Sequence, residues 1–274
     1  MSFVAAVLLG LIQGLTEFLP ISSSAHLQIA TSLLQIDLTK PQLTAFIATV
    51  QLGTELAVLI YFAKDIWRIL TAWFASGFKR EKTPDAKLGW FVIIGTLPVV
   101  AAGLAFKDAI ENELRSLQVA GFMLIIFGLV LLVADRIGQK SKPIEKLTTK
   151  SAIIFGLGQM LAVIPGVSRS GGTISAGLFM GFTRQAAARY SFLLAVPAVL
   201  ASGIYQFAKS YQDLPSDLII GTAVATVVSF VVGYAVIAGL LKYLNRGSFL
   251  PFVIWRVAVG VAILAISYWA PSSF

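Results

Sequence analysis

The chain has 274 residues, of which 57% are hydrophobic and 12% charged, and its formal net charge is +8. Soluble domains average about 25% charged residues, so the composition excludes a soluble domain and, despite the positive charge, a soluble nucleic-acid-binding protein. Cysteine is absent and there is a single histidine, which excludes disulfides, thiolate metal sites and multi-histidine metal clusters.

Long apolar runs predict an all-α polytopic membrane protein that forms a single membrane domain over 1–274. About 20 apolar residues cross a bilayer, and only helices satisfy their own backbone there. Six conventional spans are predicted, at 42–63, 88–106, 117–135, 187–208, 218–241 and 249–270.

Two further apolar zones, 1–35 and 149–182, are interrupted at mid-length by proline followed by a serine- and glycine-rich stretch. The interruptions lie at 20–24 and 165–172. A half-helix of about 10–12 residues rises some 15–18 Å, which reaches the middle of a hydrocarbon core about 30 Å thick. We therefore predict that each zone is a broken re-entrant helical hairpin.

The two hairpins begin the two halves of an internal repeat. An offset of 145 places Pro20 on Pro165. Each half then holds one hairpin, which makes no net crossing, and three spans. Three is odd, so the halves insert in opposite orientations, and we predict inverted repeats over 1–140 and 146–274.

The basic residues predict the orientation. Of the 21 Lys and Arg residues, 15 fall in the segments 64–87, 135–150, 184–189 and 242–248, which this topology places on one side. Lys and Arg accumulate on the cytoplasmic side of membrane proteins. Both termini are then outside, the first hairpin enters from outside and the second from the cytoplasm, and their tips meet near the midplane.

Ionisable residues at the two breaks are the candidates for chemistry, because a charge at this depth costs about 2.5–3.5 kcal/mol. They are Glu17, His26 and Arg169. Gln13 and Glu17 are four apart on one helix, so they share a face and can present two oxygens to one ligand. Ser23 and His26 are three apart, close enough for the hydroxyl and the imidazole to meet.

The second break has the parts of a phosphate cradle: glycines that let the backbone approach, hydroxyl donors, a guanidinium and the N-terminus of a half-helix. The candidate phosphate-binding residues are Gly166, Ser168, Arg169, Ser170, Gly171 and Thr173.

Three further polar residues lie inside predicted spans. Gln51 and Glu55 repeat the i, i+4 pattern, and Arg256 lies about 10 Å into the last span. We interpret them as the wall of a substrate path, with a Glu55–Arg256 pair or snorkelling of Arg256 as alternatives.

The motifs at the breaks resemble those of a known family. They read QGLTEFLP at 13–20, SSSAH at 22–26 and PGVSRSGGT at 165–173, and they look like the signatures of the undecaprenyl-pyrophosphate phosphatase family, the bacitracin-resistance proteins. The likeness covers nearly the whole chain. Two positions depart from the family pattern: Gln13 is the neutral variant of the first position of its (Glu/Gln)-x-x-x-Glu motif, and Glu55 stands where an uncharged residue is expected.

The resemblance implies a multi-pass enzyme of the bacterial inner (plasma) membrane. Such an enzyme hydrolyses the C55 isoprenyl diphosphate released by cell-wall polymerisation to the monophosphate carrier, with Mg²⁺ or Ca²⁺. Its partners would be the isoprenyl diphosphate and membrane lipid, with no nucleic acid. Because the first hairpin enters from outside, we expect the site to open to the outer face.

Charge considerations agree with a metal requirement. A diphosphate carries about two to three negative charges, which Arg169 clamps and Glu17 repels unless a divalent cation lies between them. Glu17 and Gln13 are the predicted metal ligands. Ser23 with His26 then forms a nucleophile–base pair, or His26 activates water directly, and the sequence leaves both routes open.

The competing class is a secondary transporter or lipid-carrier flippase. Inverted repeats with broken helices suit alternating access as well as catalysis. The Ser-x-x-His pair and the metal requirement favour hydrolysis, since a carrier needs no nucleophile.

Overall fold

The computed structural model describes residues 1–76, 83–106 and 116–269. These residues form eleven α-helices joined by short turns and 3-10 segments. The helices are α1 Phe3–Phe18, α2 Ser23–Leu33, α3 Lys40–Tyr61, α4 Ala63–Ala75, α5 Pro84–Ala105, α6 Leu117–Ile137, α7 Thr149–Met160, α8 Arg169–Phe179, α9 Arg184–Ser210, α10 Ile219–Tyr243 and α11 Leu250–Trp269.

Six of these helices, α3, α5, α6, α9, α10 and α11, are long and apolar enough to cross a membrane. They coincide with the six predicted spans, with ends that differ by a few residues. The prediction of an all-α, multi-pass membrane protein is therefore confirmed.

Helix α4 was not predicted, because the charges of the segment 64–87 indicated a polar loop. The helix buries Ile69 against α5 and follows α3 almost without interruption. Its exposed apolar residues are Trp67, Leu70 and Phe74. They recur at i, i+3 and i+7 and so form one stripe, which is typical of a helix lying in the membrane interface. The following residues, 77–82, lie outside the described part of the chain.

The two predicted breaks are present, and their geometry recurs. Helices α1 and α2 are separated by 19–22, and α7 and α8 by 161–168, which includes a short 3-10 turn. Ser22 and Ser168, the residues before α2 and α8, have φ of 74° and 71°, a left-handed conformation that L-residues rarely adopt. These serines are 146 residues apart, one more than the offset that aligned the two prolines. Both following helices have 11 residues.

Each pair of half-helices returns to the end of the bundle where it began. Met1 and Ile36 pack in one cluster with Leu214, so α1 starts and α2 ends at the same end. Lys142, before α7, pairs with Phe182, after α8. Phe182 precedes α9 and Leu214 follows it, so these two pairs of positions lie at opposite ends of α9.

Ion pairs gather the basic segments at one end. Asp65 pairs with Arg189, and Asp135 with Arg184 at 2.6 Å. Asp135 also accepts a hydrogen bond from the Phe249 backbone N–H at 3.1 Å. Among the described residues, these contacts bring parts of three basic segments, and the residue that follows the fourth, to one end of the bundle, whereas Lys79, Arg80 and Lys82 of the first segment lie outside the described residues. Two basic residues expected at the other end, Lys107 and Arg115, lie outside the described residues.

Close packing between α1 and α10 sets the position of the first hairpin. A side chain at Gly10 would overlap the backbone of Ala225, and one at Gly14 would lie 2.9 Å from the carbonyl oxygen of Ser229. Glycine lets the two helices approach along this face, as is common in membrane proteins.

Candidate active site

The Glu17 carboxylate connects the two hairpins. Its Oε1 accepts a hydrogen bond from the Arg169 guanidinium at 2.8 Å, and its Oε2 accepts one from the Ser23 hydroxyl at 2.7 Å. Oε2 also accepts from the Gln13 amide at 3.1 Å. The side chains of Glu17 and Arg169 are only 9% and 17% exposed. Four residues predicted from the two breaks therefore lie together in one cluster.

Two helix N-termini point to this cluster. Ser23 is the first residue of α2, and Arg169 is the first residue of α8. The tips are also joined by a hydrogen bond from the Ser170 hydroxyl to the Leu19 carbonyl at 3.1 Å. The free N–H groups and the dipole at a helix N-terminus favour an anion, so two converging N-termini suit a phosphate group.

His26 and Ser23 form no hydrogen bond with each other, contrary to the prediction that the hydroxyl and the imidazole meet. The His26 Nδ1 donates to the Ser22 carbonyl at 2.8 Å, and its Nε2 accepts from the Trp255 indole N–H at 2.8 Å. A carbonyl can only accept and an indole N–H can only donate, so the imidazole is neutral with its single proton on Nδ1. The spacing does place both residues in the first turn of α2, but Ser23 turns back to α1 whereas His26 turns towards α11.

Two residues of this network were missed by the sequence analysis. Trp255 donates its indole N–H to His26, and its ring also stacks on His26 with centroids 6.1 Å apart. The Thr54 hydroxyl accepts from the Gln13 amide at 3.2 Å. Both contacts join residues distant in the chain, and no local pattern signals them.

Arg256 does not line a substrate path, does not pair with Glu55 and does not snorkel. It is fully buried, and its guanidinium donates to backbone carbonyls from both breaks and from α6. The acceptors are the carbonyls of Pro20, Met123, Leu124, Gly166 and Val167. Where a helix breaks, its last carbonyls lose their intrahelical partners, and the five N–H donors of arginine can satisfy several of them.

The Ser168 and Thr173 hydroxyls, which were predicted to hold phosphate, are bonded within the second hairpin, whereas the Ser170 hydroxyl donates to Leu19 of the first hairpin. Ser168 accepts from the Gly171 N–H at 3.2 Å and lies 3.1 Å from the Ser170 hydroxyl. Thr173 is fully buried and donates to the Arg169 carbonyl at 2.6 Å. In this arrangement Arg169 is the member of the predicted cradle that reaches the Glu17 cluster with its side chain.

The two predicted cradle glycines make room for neighbouring groups. Gly166 has φ of 92°, and its carbonyl accepts from Arg256. A side chain at Gly171 would lie 2.9 Å from the Arg256 guanidinium. Both glycines therefore lie against the Arg256 guanidinium, which is why a side chain does not fit at Gly171.

Glu55 lies beside the cluster. It is 3% exposed and lines a small pocket together with Glu17, Arg169 and apolar residues of α9. Neither of its carboxylate oxygens has a hydrogen-bond partner among the described residues. Gln51, one turn earlier, is half-buried and forms no hydrogen bond of standard geometry with it.

The six long apolar helices define a polytopic membrane protein. The buried Glu17–Arg169 cluster lies where the tips of its two hairpins meet. The chain belongs to the bacitracin resistance protein BacA family, whose model matches residues 6–262. The resemblance seen in the motifs is thereby confirmed.

Curated relatives match along nearly their full length. A Micrococcus luteus protein named undecaprenyl-diphosphatase is 52% identical, with 97% of each chain covered. A Nocardioides protein of the same name is 53% identical over 96% of each chain. An Agrobacterium fabrum protein named undecaprenyl-diphosphatase 2 is 52% identical over 97% of this chain and 96% of the relative.

Proposed function

We infer that this chain is an integral membrane undecaprenyl-diphosphatase, which hydrolyses undecaprenyl diphosphate to undecaprenyl phosphate and inorganic phosphate and so recycles the cell-wall lipid carrier. The names of relatives about 50% identical over nearly the whole chain support this activity. The transporter alternative has no such support, since the relatives reported above carry the phosphatase name. The observation that carries the proposal is the Glu17 carboxylate bonded to the first residue of both half-helices.

Arg169 binds the diphosphate in this proposal. Its planar guanidinium can donate two parallel hydrogen bonds to phosphate oxygens. In the structure it is paired with Glu17, so substrate binding has to separate the pair. The N-termini of α2 and α8 then add their N–H dipoles to the same phosphate.

A divalent cation, Mg²⁺ or Ca²⁺, fits the donors present. Glu17 and Gln13 offer oxygen atoms on one helix face, the ligand type that both ions prefer. No three His, Cys, Asp or Glu side chains converge within the described residues, so phosphate and water would complete the coordination. Glu17 and Gln13 would hold the cation, and its positive charge would offset the repulsion between the Glu17 carboxylate and the diphosphate.

Ser23 is the proposed nucleophile, and Glu17 accepts its proton. The hydroxyl already donates to Glu17 Oε2 at 2.7 Å, whereas both nitrogens of His26 are bonded elsewhere. Oγ forms a bond to the terminal phosphorus, the bond to the bridging oxygen breaks, and undecaprenyl phosphate leaves. Water then cleaves the phosphoserine as the proton on Glu17 returns to Oγ. His26 holds the Ser22 carbonyl and so positions the break.

The orientation and the repeat are part of the proposal. We place the basic end in the cytoplasm of a bacterial cell, with the chain in the inner membrane, both termini outside and the site open to the outer face. The charge bias supports this assignment. The left-handed Ser22 and Ser168 and the opposite entry of the hairpins support inverted repeats over 1–140 and 146–274.

Phosphate release from undecaprenyl diphosphate by the purified protein in detergent tests the activity. Ser23→Ala should lose several orders of magnitude in turnover, whereas Ser24→Ala, a change at the exposed neighbouring serine, should leave turnover close to wild type. If water attacked with His26 as base, Ser23→Ala would keep measurable turnover and His26→Ala would not. Inversion of configuration at phosphorus would rule out the phosphoserine.

A further inference from the structure

The Glu55 carboxylate is a buried polar group that the mechanism above leaves unused. It lies in the middle of α3, is 3% exposed, and neither of its oxygens has a hydrogen-bond partner in the described part of the chain. Burying an ionised carboxylate without a partner costs several kcal/mol or more. A cation bound beside the carboxylate would offset this cost.

The pocket around Glu55 contains more negative than positive charge. Two carboxylates, of Glu17 and Glu55, and one guanidinium, of Arg169, line it together. Arg169 already pairs with Glu17, and Arg256 is committed to backbone carbonyls. A cation in this pocket could therefore bind the Glu55 carboxylate, whose oxygens have no hydrogen-bond partner among the described residues.

Helix α9 closes the other side of this pocket without offering a polar side chain. It contributes Ala195, Val196, Val199 and Leu200. Next to them, a methyl group at Gly203 would overlap the Glu55 carboxylate. Glycine at this position thus leaves the space that the carboxylate occupies.

The polar contacts of α3 link Glu55 to the face of α1 that carries Glu17. Thr54, its neighbour in the chain, accepts from the Gln13 amide at 3.2 Å, and the same amide donates to Glu17 at 3.1 Å. Gln13 is neutral, so α1 offers a single carboxylate at this point. Glu55 is the second carboxylate of the pocket, supplied from across the helix interface.

We propose that Glu55 is a ligand of the divalent cation, acting together with Glu17. The proposal rests on the function proposed above, in which the site takes Mg²⁺ or Ca²⁺. These ions are commonly held by one or two carboxylates with phosphate and water. Two carboxylates give the pocket a net negative charge before substrate binds, so a cation is held there even without diphosphate.

Binding of Mn²⁺, an oxygen-preferring substitute for Mg²⁺, tests this directly. The purified protein is stripped of cations in detergent and titrated while free Mn²⁺ is followed by electron paramagnetic resonance, without substrate and again with methylenediphosphonate. Glu55→Gln should raise the Kd by roughly tenfold or more, because the ligand charge is lost. The control Glu145→Gln removes an exposed carboxyl group away from the pocket and should leave the Kd unchanged.

A second arm of the experiment transfers the negative charge of Glu55 to position 13 of α1. Because the Gln13 amide lies 3.1 Å from Glu17 Oε2, a carboxylate there would face the same cation. The double variant Glu55→Gln with Gln13→Glu should therefore recover most of the lost Mn²⁺ affinity. A merely structural role of Glu55 predicts no recovery.

The proposal is overturned if Glu55→Gln binds Mn²⁺ as tightly as wild type, or if wild type binds none under either condition. Circular dichroism and size-exclusion profiles check the fold. If Glu55→Gln is misfolded, Glu55→Asp, which keeps the charge but shortens the side chain, replaces it and should also bind more weakly. Wild-type phosphate release separates the two proposals, since cation binding through Glu55 without that activity would contradict only the function.

Discussion

The Glu17 carboxylate receives hydrogen bonds from three side chains, and two of these begin separate half-helices. A ligand that binds between the hairpins therefore lies next to these hydrogen bonds of Glu17. In the proposed function, the Arg169–Glu17 pair is the contact that an incoming diphosphate has to replace, because a guanidinium can donate two parallel hydrogen bonds to phosphate oxygens.

Arg169→Lys should lose about a hundredfold or more in kcat while the protein remains folded, because lysine keeps the charge but not the planar two-donor fork. Phosphate release under saturating substrate measures the loss. Arg184→Lys is the matched control, since its ion pair with Asp135 lies at the end of the bundle away from the site. Turnover near wild type for Arg169→Lys would contradict the phosphate-binding role.

Gln13 and Glu17 should respond differently to exchange of acid and amide. Gln13→Glu should keep activity within about tenfold of wild type and make the divalent-ion requirement stricter, because two carboxylates then share one face. Glu17→Gln should abolish activity, since it removes the carboxylate that accepts from Ser23 and that is proposed as the main metal ligand. Titration of phosphate release against Mg²⁺ compares the two variants. Equal damage from both changes would be inconsistent with this division of roles.

At the level of elements, the two breaks depend on a residue from a third segment. The hairpin tips expose carbonyls that no helix can satisfy, and Arg256 of α11 binds them from within the core. The strained backbone at Ser22 and Ser168 is therefore held by contacts from outside each hairpin.

Arg256→Met should lower the unfolding temperature in detergent clearly, because each buried carbonyl left without a donor costs about 1–3 kcal/mol. Arg256→Lys, with three donors on one nitrogen, should fall between wild type and Arg256→Met. Arg246→Met, at an exposed position near the basic end, is the control and should have little effect. An unchanged unfolding temperature for Arg256→Met would show that the carbonyls find other partners.

For the whole molecule, the opposed hairpins and the single basic end reduce the topology to two choices. If the basic end is cytoplasmic, the first hairpin and its Glu17 and Ser23 open outward. The diphosphate then arrives from the outer leaflet, where polymerisation releases it, and its isoprenoid tail leaves laterally into lipid.

Single cysteines decide between these orientations, since the chain has no cysteine of its own. A cysteine at Ser2 should react with an impermeant thiol reagent added to intact cells, and one at Ser141 should react only after the membrane is opened. Both positions are exposed. Ser273, at the other terminus, is expected to behave like Ser2 but lies outside the described residues. Labelling in the reverse pattern would reverse the topology while leaving the proposed chemistry intact.

The six spans, the two breaks and the grouping of the basic segments followed from the sequence, because these features are local or additive. A bilayer requires a continuous apolar length, proline interrupts a helix wherever it stands, and charge bias is a sum over loops. The members of the Gln13, Glu17, Ser23 and Arg169 cluster could also be predicted from the sequence, because all four flank the two breaks.

Side-chain partners were decided by the tertiary structure. Ser23 bonds to Glu17 and His26 bonds to Trp255, because the two side chains leave α2 towards different neighbouring helices. The rotation of α2 about its axis decides which neighbours they meet, and residue spacing does not determine that rotation. Arg256 donates to carbonyls of three other segments. The residue pattern of its own helix does not indicate that these carbonyls lack partners. Hydrogen bonds are directional and short, so their partners are determined only when the helices have packed. The apolar pattern that drives the packing is a property of the sequence itself.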